Sequence, residues 1–344
     1  MTDSVASTGT ASSLALPDDP QDGGLPEIVV AADNGAKWSQ RQHFFFVRFE
    51  LICISLVAIA ELFGHQFAPA IIQALHIHFG EVTVLGKQYS GDQVTTLVAG
   101  TIPAAFFMLV VVVMYLLRVI LRRDRRWRER RALAEGVKSL AWLYGMHAMH
   151  DDLTGAVPLS LEQAHQAFLN ELRSIEKERR DLHLAPPVKD AVQITTEMED
   201  LRAASPARQE AAFKAGRVEG QRGWYTRKAK KYARWTLYLQ VARGLTYAAG
   251  VALIVLNPLG FGGLSAVTTI AGAFAAWLAG KHYEDLSQDY GAMARKLGEL
   301  WLVAPGGEAL SQDRISAQRA VAAYARKVET LLESEHNKWL SSIR

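Results

Sequence analysis

Charged side chains inside otherwise apolar segments are the residues of this sequence with the clearest chemical potential. Arg48, Glu50 and Glu61 interrupt the apolar run at residues 44–63, and Arg243 interrupts a later one. A charge at the bilayer centre costs about 2.5–3.5 kcal/mol on insertion scales, so such residues usually pair, line water or snorkel to the headgroups. We expect an ion pathway or partner contacts at these four positions. Glu50 is expected either to meet Arg243 or to line water.

No arrangement of residues predicts catalysis or metal binding. The single cysteine, Cys53, excludes an internal disulfide and a cysteine-built zinc site. His65, His76, His78 and Glu81 gather in one segment, but their spacing does not place all four around one metal ion. Paired carboxylates, a catalytic triad and a glycine-rich phosphate loop are also missing. We therefore expect no enzyme, no metal and no cofactor.

Two further groups suit contacts rather than chemistry. Gly272, Ala276 and Gly280 share one helix face at a spacing of four, which lets helices approach closely within the monomer or at a subunit interface. A run of arginines should anchor anionic lipid at about 1 kcal/mol per residue near the surface. These are Arg122, Arg123, Arg125, Arg126, Arg128, Arg130 and Arg131.

Four apolar stretches could position these side chains in a bilayer. A helix of about 20 residues crosses about 30 Å of hydrocarbon. The uncharged stretch at residues 244–280 is too long for one span, and Asn257 and Pro258 followed by glycines favour a turn there. The sequence predicts an all-α integral membrane protein built from two two-span hairpins, with spans at residues 44–63, 97–117, 238–256 and 264–280.

The positions of the basic residues predict the orientation. Seven arginines lie within residues 122–131, and five basic residues precede the third span. In the loop at residues 64–93, Lys87 is the single lysine or arginine. Because basic loops stay cytoplasmic, we expect both termini on the cytoplasmic side of the inner membrane. The balance of 38 basic and 35 acidic residues argues against a general nucleic-acid binder.

The remaining segments predict long cytoplasmic helices. Leu161, Ala164, Phe168 and Leu172 follow a helical spacing after Ser160, which suits an N-cap. The first 36 residues are rich in small and polar residues and are expected to form a flexible tail. The predicted organisation is a disordered tail at 1–36, a two-span module at 37–150, a helical segment at 151–222 and a second two-span module at 223–344.

Three motifs resemble the SLATT family, whose two-span domains are associated with SMODS and SLOG domains. They are residues 127–135 (WRERRALAE) followed by Val137, Lys138, Leu140, Ala141, Trp142 and Tyr144; residues 223–229 (GWYTRKA); and residues 328–339 (VETLLESEHNKW). The resemblance implies a tandem membrane effector of bacterial nucleotide-linked conflict systems, which oligomerises, opens a pore and harms the host cell. Its partners would be the bilayer, further copies and a nucleotide-signalling or sensor protein encoded nearby.

Two other functions fit the same pattern of spans. An ion or solute transporter would place its site between the two modules, although transporter repeats usually contain helices broken at mid-membrane. A membrane scaffold would instead use its cytoplasmic helices to recruit a partner. Trigger-dependent leak from liposomes would favour the effector, and saturable uptake would favour the transporter.

Overall fold

The structure is a computed structural model, and it describes most of the chain as helix. The described residues are 14–16, 24–64, 74, 80, 82–84, 87–121, 123–149, 159–178, 192–256, 262–311 and 313–342. Within them the only strands are β1 (Val82–Val84) and β2 (Lys87–Tyr89), an antiparallel pair in which Val82 lies opposite Tyr89. The predicted all-α class is confirmed, with this short hairpin as an addition.

The helices follow the predicted spans and continue beyond them. Two of the continuous helical stretches contain a π-helical turn, at Leu97–Thr101 and at Lys214–Glu219. The α-helices are α1 (Glu27–Leu62), α2 (Gly91–Thr96), α3 (Ile102–Leu121), α4 (Arg123–Gly145), α5 (Leu161–Glu178), α6 (Thr196–Ala203), α7 (Pro206–Phe213), α8 (Gly220–Leu256), α9 (Gly262–Lys281), α10 (Tyr283–Leu302), α11 (Gly307–Leu310) and α12 (Arg314–Ser342).

The chain divides into two compact units that cut across the predicted modules. One, here called the helical unit, comprises residues 1–40, 124–229 and 288–344. The other, called the spanning unit, comprises residues 41–123 and 230–287. Each unit therefore contains segments from both predicted modules, and the chain passes from one unit to the other four times.

The helical unit has an aromatic core. Trp142, Tyr144, Phe168 and Phe213 are fully buried, and the rings of Trp142 and Phe213 meet edge to face with centroids 5.3 Å apart. Tyr144 contacts Phe168 of α5 in the same way at 5.5 Å. This contact is the partner face that the helical spacing of α5 predicted.

The start of α5 confirms one prediction and corrects another. The backbone N–H of Gln163 donates to Ser160 Oγ at 3.3 Å, and the N–H of Ser160 donates to Gln163 Oε1 at 3.0 Å, which forms a capping box. Leu161 was expected on the buried face but is 53% exposed. It lies in the first turn, one turn before Ala164, where the buried face of the helix begins.

The predicted tail is partly ordered, so the boundary at residue 36 is wrong. Helix α1 begins at Glu27, and Val29, Ala32 and Ala36 are buried in the helical unit. Leu16 is buried as well. The buried face of this part of α1 is narrow and consists of Ile28, Val29, Ala32, Ala36 and Ser39, so the average composition of the segment concealed it.

The spanning unit contains the predicted membrane segments. Among the described residues, Glu27–Glu61 and Val98–Gly145 are long and apolar enough to cross a membrane, judged by length and composition. The second predicted span ends at residue 117, but α3 continues to Leu121. The third and fourth predicted spans fall within α8 and α9. Residues 257–261 and the candidate metal ligands at 65, 76, 78 and 81 lie outside the described residues.

Candidate functional site

An ion pair joins the two arms of the first hairpin. Arg118 Nη1 of α3 lies 3.2 Å from Glu50 Oε2 of α1, with side-chain exposures of 30% and 16%. The expectation that Glu50 meets Arg243 is therefore wrong. Arg118 follows Glu50 within the same hairpin, so the pair forms without bringing the two halves of the chain together. Such a pair lowers the cost of placing either charge in an apolar segment.

Arg48 makes a cation–π contact with an aromatic ring rather than an ion pair with an acid. Its Cζ atom lies 5.7 Å from the ring centroid of Trp277, which is on α9 one turn before Lys281. Tryptophan is enriched at membrane–water interfaces, and a cation over its ring gains about 0.5–2 kcal/mol. Snorkelling of Arg48 to the interface would allow such a contact, and it stays a prediction.

The other two predicted pathway residues differ in position. Arg243 lies within α8 and is partly exposed, and in the described part of the chain no acid pairs with it. Glu61 lies in the last turn of α1 and is also partly exposed. The structure therefore brings Glu50 and Arg48 into contacts, but not with each other or with Arg243.

A close backbone contact in the first hairpin was missed by the sequence analysis. A Cβ added at Gly64 would collide with the backbone of Gly100, and one at Gly100 would lie 2.9 Å from Gly64 Cα. Gly100 belongs to the π-helical turn Leu97–Thr101, directly before α3. Only glycine permits this approach, so the contact fixes the crossing of the two arms.

The predicted small-residue face of α9 makes no such contact. A Cβ at Gly272 would meet nothing within 4 Å, and Ala276 is exposed. Gly280 lies on the same helix. Within the described residues the buried alanine of α9 is instead Ala271. Among the described residues, neither Gly272 nor Ala276 shows such packing, and both alternatives, packing within the monomer and a subunit interface, stay predictions.

The predicted arginine anchor is divided between protein contacts and solvent. Arg130 donates to the carbonyl of Gly35 at 3.2 Å and to Ser39 Oγ at 3.1 Å, which ties α4 to α1. Arg125 Nε pairs with Glu129 at 2.6 Å. The side chains of Arg125 and Arg126 are exposed and that of Arg128 partly so, whereas Arg122 and the side chain of Arg123 lie outside the described residues. Lipid binding by this run stays a prediction for its exposed members.

A buried charge cluster in the helical unit was not predicted. Arg217 donates through Nε to Glu329 Oε1 at 2.7 Å and through Nη2 to Glu329 Oε2 at 2.9 Å, and both side chains are only 2% exposed. Ser139 of α4 donates its hydroxyl to Glu329 Oε2 at 2.8 Å. These three residues, here called the buried latch, join α4, the π-helical turn Lys214–Glu219 and α12.

The local sequence explains how the latch forms. Arg217 lies inside a π-helical turn, a feature that is frequent at functional sites because its extra residue re-aims side chains. Glu329 lies four residues after Ala325 and three before Leu332, both buried, so it occupies the core face of α12. In the sequence, Glu329 falls on the same helix face as apolar residues, and this signal could have revealed the site.

A second polar cluster lies beside the latch. Tyr225 Oη donates to Glu335 Oε2 at 2.8 Å, and Arg131 lies 5.3 Å from the ring centroid of Trp224. Burial raises the pKa of Glu335, and the nearby Glu135 adds to this, although the tyrosine bond and Arg131 oppose it.

The pKa of Glu135, in the same cluster, is shifted in the opposite direction. Burial alone would raise its pKa, but the summed attraction of Lys138, Arg131, Arg217 and His336 outweighs burial and lowers the pKa of this carboxyl. Two carboxylates of one cluster therefore have oppositely shifted pKa values. The cluster adds α8 and a further part of α12 to the segments that the latch connects.

Two family models match the sequence, one after the other. The SMODS and SLOG-associating 2TM effector domain 3 matches residues 82–210, and the SMODS and SLOG-associating 2TM effector domain 1 matches residues 213–339. No curated protein and no solved structure matches the chain. The two matches adjoin just before the π-helical turn that carries Arg217.

Proposed function

Because the chain belongs to the SLATT effector family, with two of its membrane domains in tandem, we propose that it is a pore-forming effector triggered by a cytoplasmic signal. SLATT domains are helical membrane effector domains associated with conflict and defence systems. The proposed protein is non-enzymatic, has both termini in the cytoplasm and spans the inner membrane several times. Several copies assemble around a conductive path, and a sensor encoded nearby supplies the signal.

The observation that carries this proposal is the placement of charge in the spanning helices. The Glu50–Arg118 pair and Arg243 lie in helices whose large apolar side chains are widely exposed, including Phe106, Leu109 and Val255. Lipid or neighbouring subunits suit the apolar faces, whereas charged side chains in spans usually face a bundle interior or a water-filled cavity. A conductive assembly satisfies both requirements.

The buried latch supplies a route for the signal. Ser139 follows the second span along the chain, and Arg217 lies directly before α8, which contains the third span. A signal that changes the packing of α12 would alter both segments at once. We propose that the cytoplasmic cue shifts the population from a latched state to a state in which these segments are released.

The test measures membrane potential in living cells. The full chain is expressed with its neighbouring genes, and depolarisation and growth are followed with a voltage-sensitive dye before and after the signal. Glu50→Gln removes the acid that holds Arg118, so we expect more depolarisation without the signal. Glu162→Gln, at an exposed position of α5, is the matched control and should behave as the unaltered protein.

A charge exchange separates the ion pair from the individual residues. Glu50→Arg combined with Arg118→Glu restores an opposite pair and should return depolarisation toward its original dependence on the signal. Failure to depolarise or to arrest growth, with the neighbouring locus present, would contradict the pore. Saturable solute uptake by reconstituted liposomes in place of leak would support a transporter instead.

A further inference from the structure

We infer that the conductive path favours anions over cations, an inference that rests on the pore proposed above. Its basis is the balance of charge at the cytoplasmic end of the spans. There Glu50 and Arg118 compensate each other, whereas Arg48 and Arg243 have no acidic partner in the described part of the chain. Glu61 lies in the last turn of α1, toward the opposite end of the span.

The packing of α8 on α9 fixes the depth of Arg243. A Cβ at Gly250 would lie 2.9 Å from Val267 Cγ1, so these two residues are level. Because the two helices are consecutive and fold back on each other, Trp277 is level with residue 240 of α8. Arg243 lies three residues farther from the cytoplasmic end, or about 5 Å at 1.5 Å per residue.

This depth distinguishes Arg243 from the other basic residues. Arg48 contacts Trp277 and thus lies at the level of an interfacial aromatic residue. Arg118 lies one turn before the end of α3 and is paired with an acid. Among the basic residues of the described spans, Arg243 therefore lies deepest and retains an uncompensated positive charge.

A cation in this position has a defined effect on permeation. Rings of arginine or lysine side chains select for anions in channels, because they attract the counter-ion and repel ions of like sign. In a symmetric assembly each copy contributes one Arg243 at the same depth, so the residues form a ring. The permeant class is then a small inorganic anion, for which chloride is the probe.

The experiment measures selectivity in the full-length protein. Membrane vesicles from cells that express the chain with its neighbouring genes are fused to planar bilayers, and the reversal potential is measured under a gradient of potassium chloride. We expect chloride to be preferred. Arg243→Gln should reduce the chloride-to-potassium permeability ratio about tenfold, because one charge about 6 Å from the ion in water favours chloride about threefold and disfavours potassium about threefold. Arg243→Glu should reduce it further, and Arg243→Lys should preserve it.

Arg234→Gln is the matched control, because Arg234 is an exposed arginine of the same helix nine residues closer to the cytoplasmic side. Its reversal potential should remain that of the unaltered protein. A current with potassium preference would overturn the inference but leave the pore intact. Chloride preference that is unchanged in Arg243→Gln and Arg243→Glu would overturn the role of Arg243 and indicate snorkelling. Absence of any current would overturn both the pore and its selectivity.

Discussion

Each of the two units contains an arginine–glutamate ion pair, and the two pairs differ in burial and in hydrogen bonding. In the helical unit, Arg217 and Glu329 are only 2% exposed and share two hydrogen bonds, with a third from Ser139. In the spanning unit, Arg118 and Glu50 make one contact at 3.2 Å and remain 30% and 16% exposed. One arginine–carboxylate pair is enclosed and doubly hydrogen-bonded, and the other is partly open.

This difference suggests different tasks for the two pairs. A buried pair is costly to desolvate, so it persists only when its remaining polar atoms are satisfied, and breaking it leaves a charge stranded in the core. A partly open pair can exchange its partner for water, lipid or another subunit at lower cost. The helical unit is therefore expected to leave its latched arrangement only when the proposed signal supplies the free energy, whereas the spanning unit can rearrange at lower cost.

The largest expected effect comes from breaking the enclosed pair. Glu329→Ala leaves Arg217 without its carboxylate in the core, and we expect a loss of about 3 kcal/mol in the free energy of unfolding. Thermal unfolding of the protein in detergent, followed by circular dichroism, measures this loss. Glu50→Ala should lower the stability much less, because the Glu50–Arg118 pair is partly open.

A double substitution tests the physical reason. Arg217→Met with Glu329→Leu replaces both charges by apolar side chains, so most of the stability lost in Glu329→Ala should return. If the double variant is as unstable as Glu329→Ala, the loss comes from packing around α12 rather than from a stranded charge. The comparison between the two pairs would then lose its electrostatic basis.

The next effect concerns the crossing of the first hairpin. Gly100→Val would place a branched side chain against the backbone of Gly64, and overpacking of this kind costs about 2 kcal/mol. Gly272→Val is the matched control, since a Cβ at Gly272 meets nothing within 4 Å. Melting temperature and dispersity in detergent should change for Gly100→Val only. Equal losses in both variants would indicate that helix propensity, not the crossing, causes the effect.

The sequence predicted the helices better than the contacts between them. Long apolar runs predict helices in α1, α3, α8 and α9, because hydrophobic length is a local property. Among the described residues, two helical stretches are long and apolar enough to cross a membrane, and the four-span arrangement stays a prediction. The capping box of Ser160 is equally local. The tail was mispredicted because the buried face of α1 at Val29, Ala32 and Ala36 is narrow, and small residues carry a weak hydrophobic signal.

The functional contacts depend on information that spacing does not contain. Glu50 could pair with any basic residue at the same depth, and the structure selects Arg118 because the first hairpin brings α1 and α3 together. Arg217 and Glu329 are separated by more than one hundred residues, and a π-helical turn is needed to aim the arginine. Charges at buried helical positions were visible in the sequence, but their partners were not.

The smallest expected effect concerns Glu135 and Glu335, the two carboxylates of the cluster beside the latch. It tests whether their charges contribute to the stability of the helical unit. The pKa of Glu135 is lowered, so its charge stabilises the folded state at pH 7, and this contribution is lost as the pH falls through the lowered value. Glu135→Gln should therefore destabilise the protein at pH 7 by about 0.5 kcal/mol, the scale of a part-exposed pair, and the difference should vanish in acid.

Glu335 has a raised pKa, so its charge opposes folding at neutral pH, and Glu335→Gln keeps an acceptor for Tyr225. That variant should be neutral or slightly stabilising at pH 7. Melting temperatures at pH 7 and at about pH 2, below the lowered pKa of Glu135, measure both. The same sign of change for both variants at pH 7 would contradict the opposite roles of the two carboxylates.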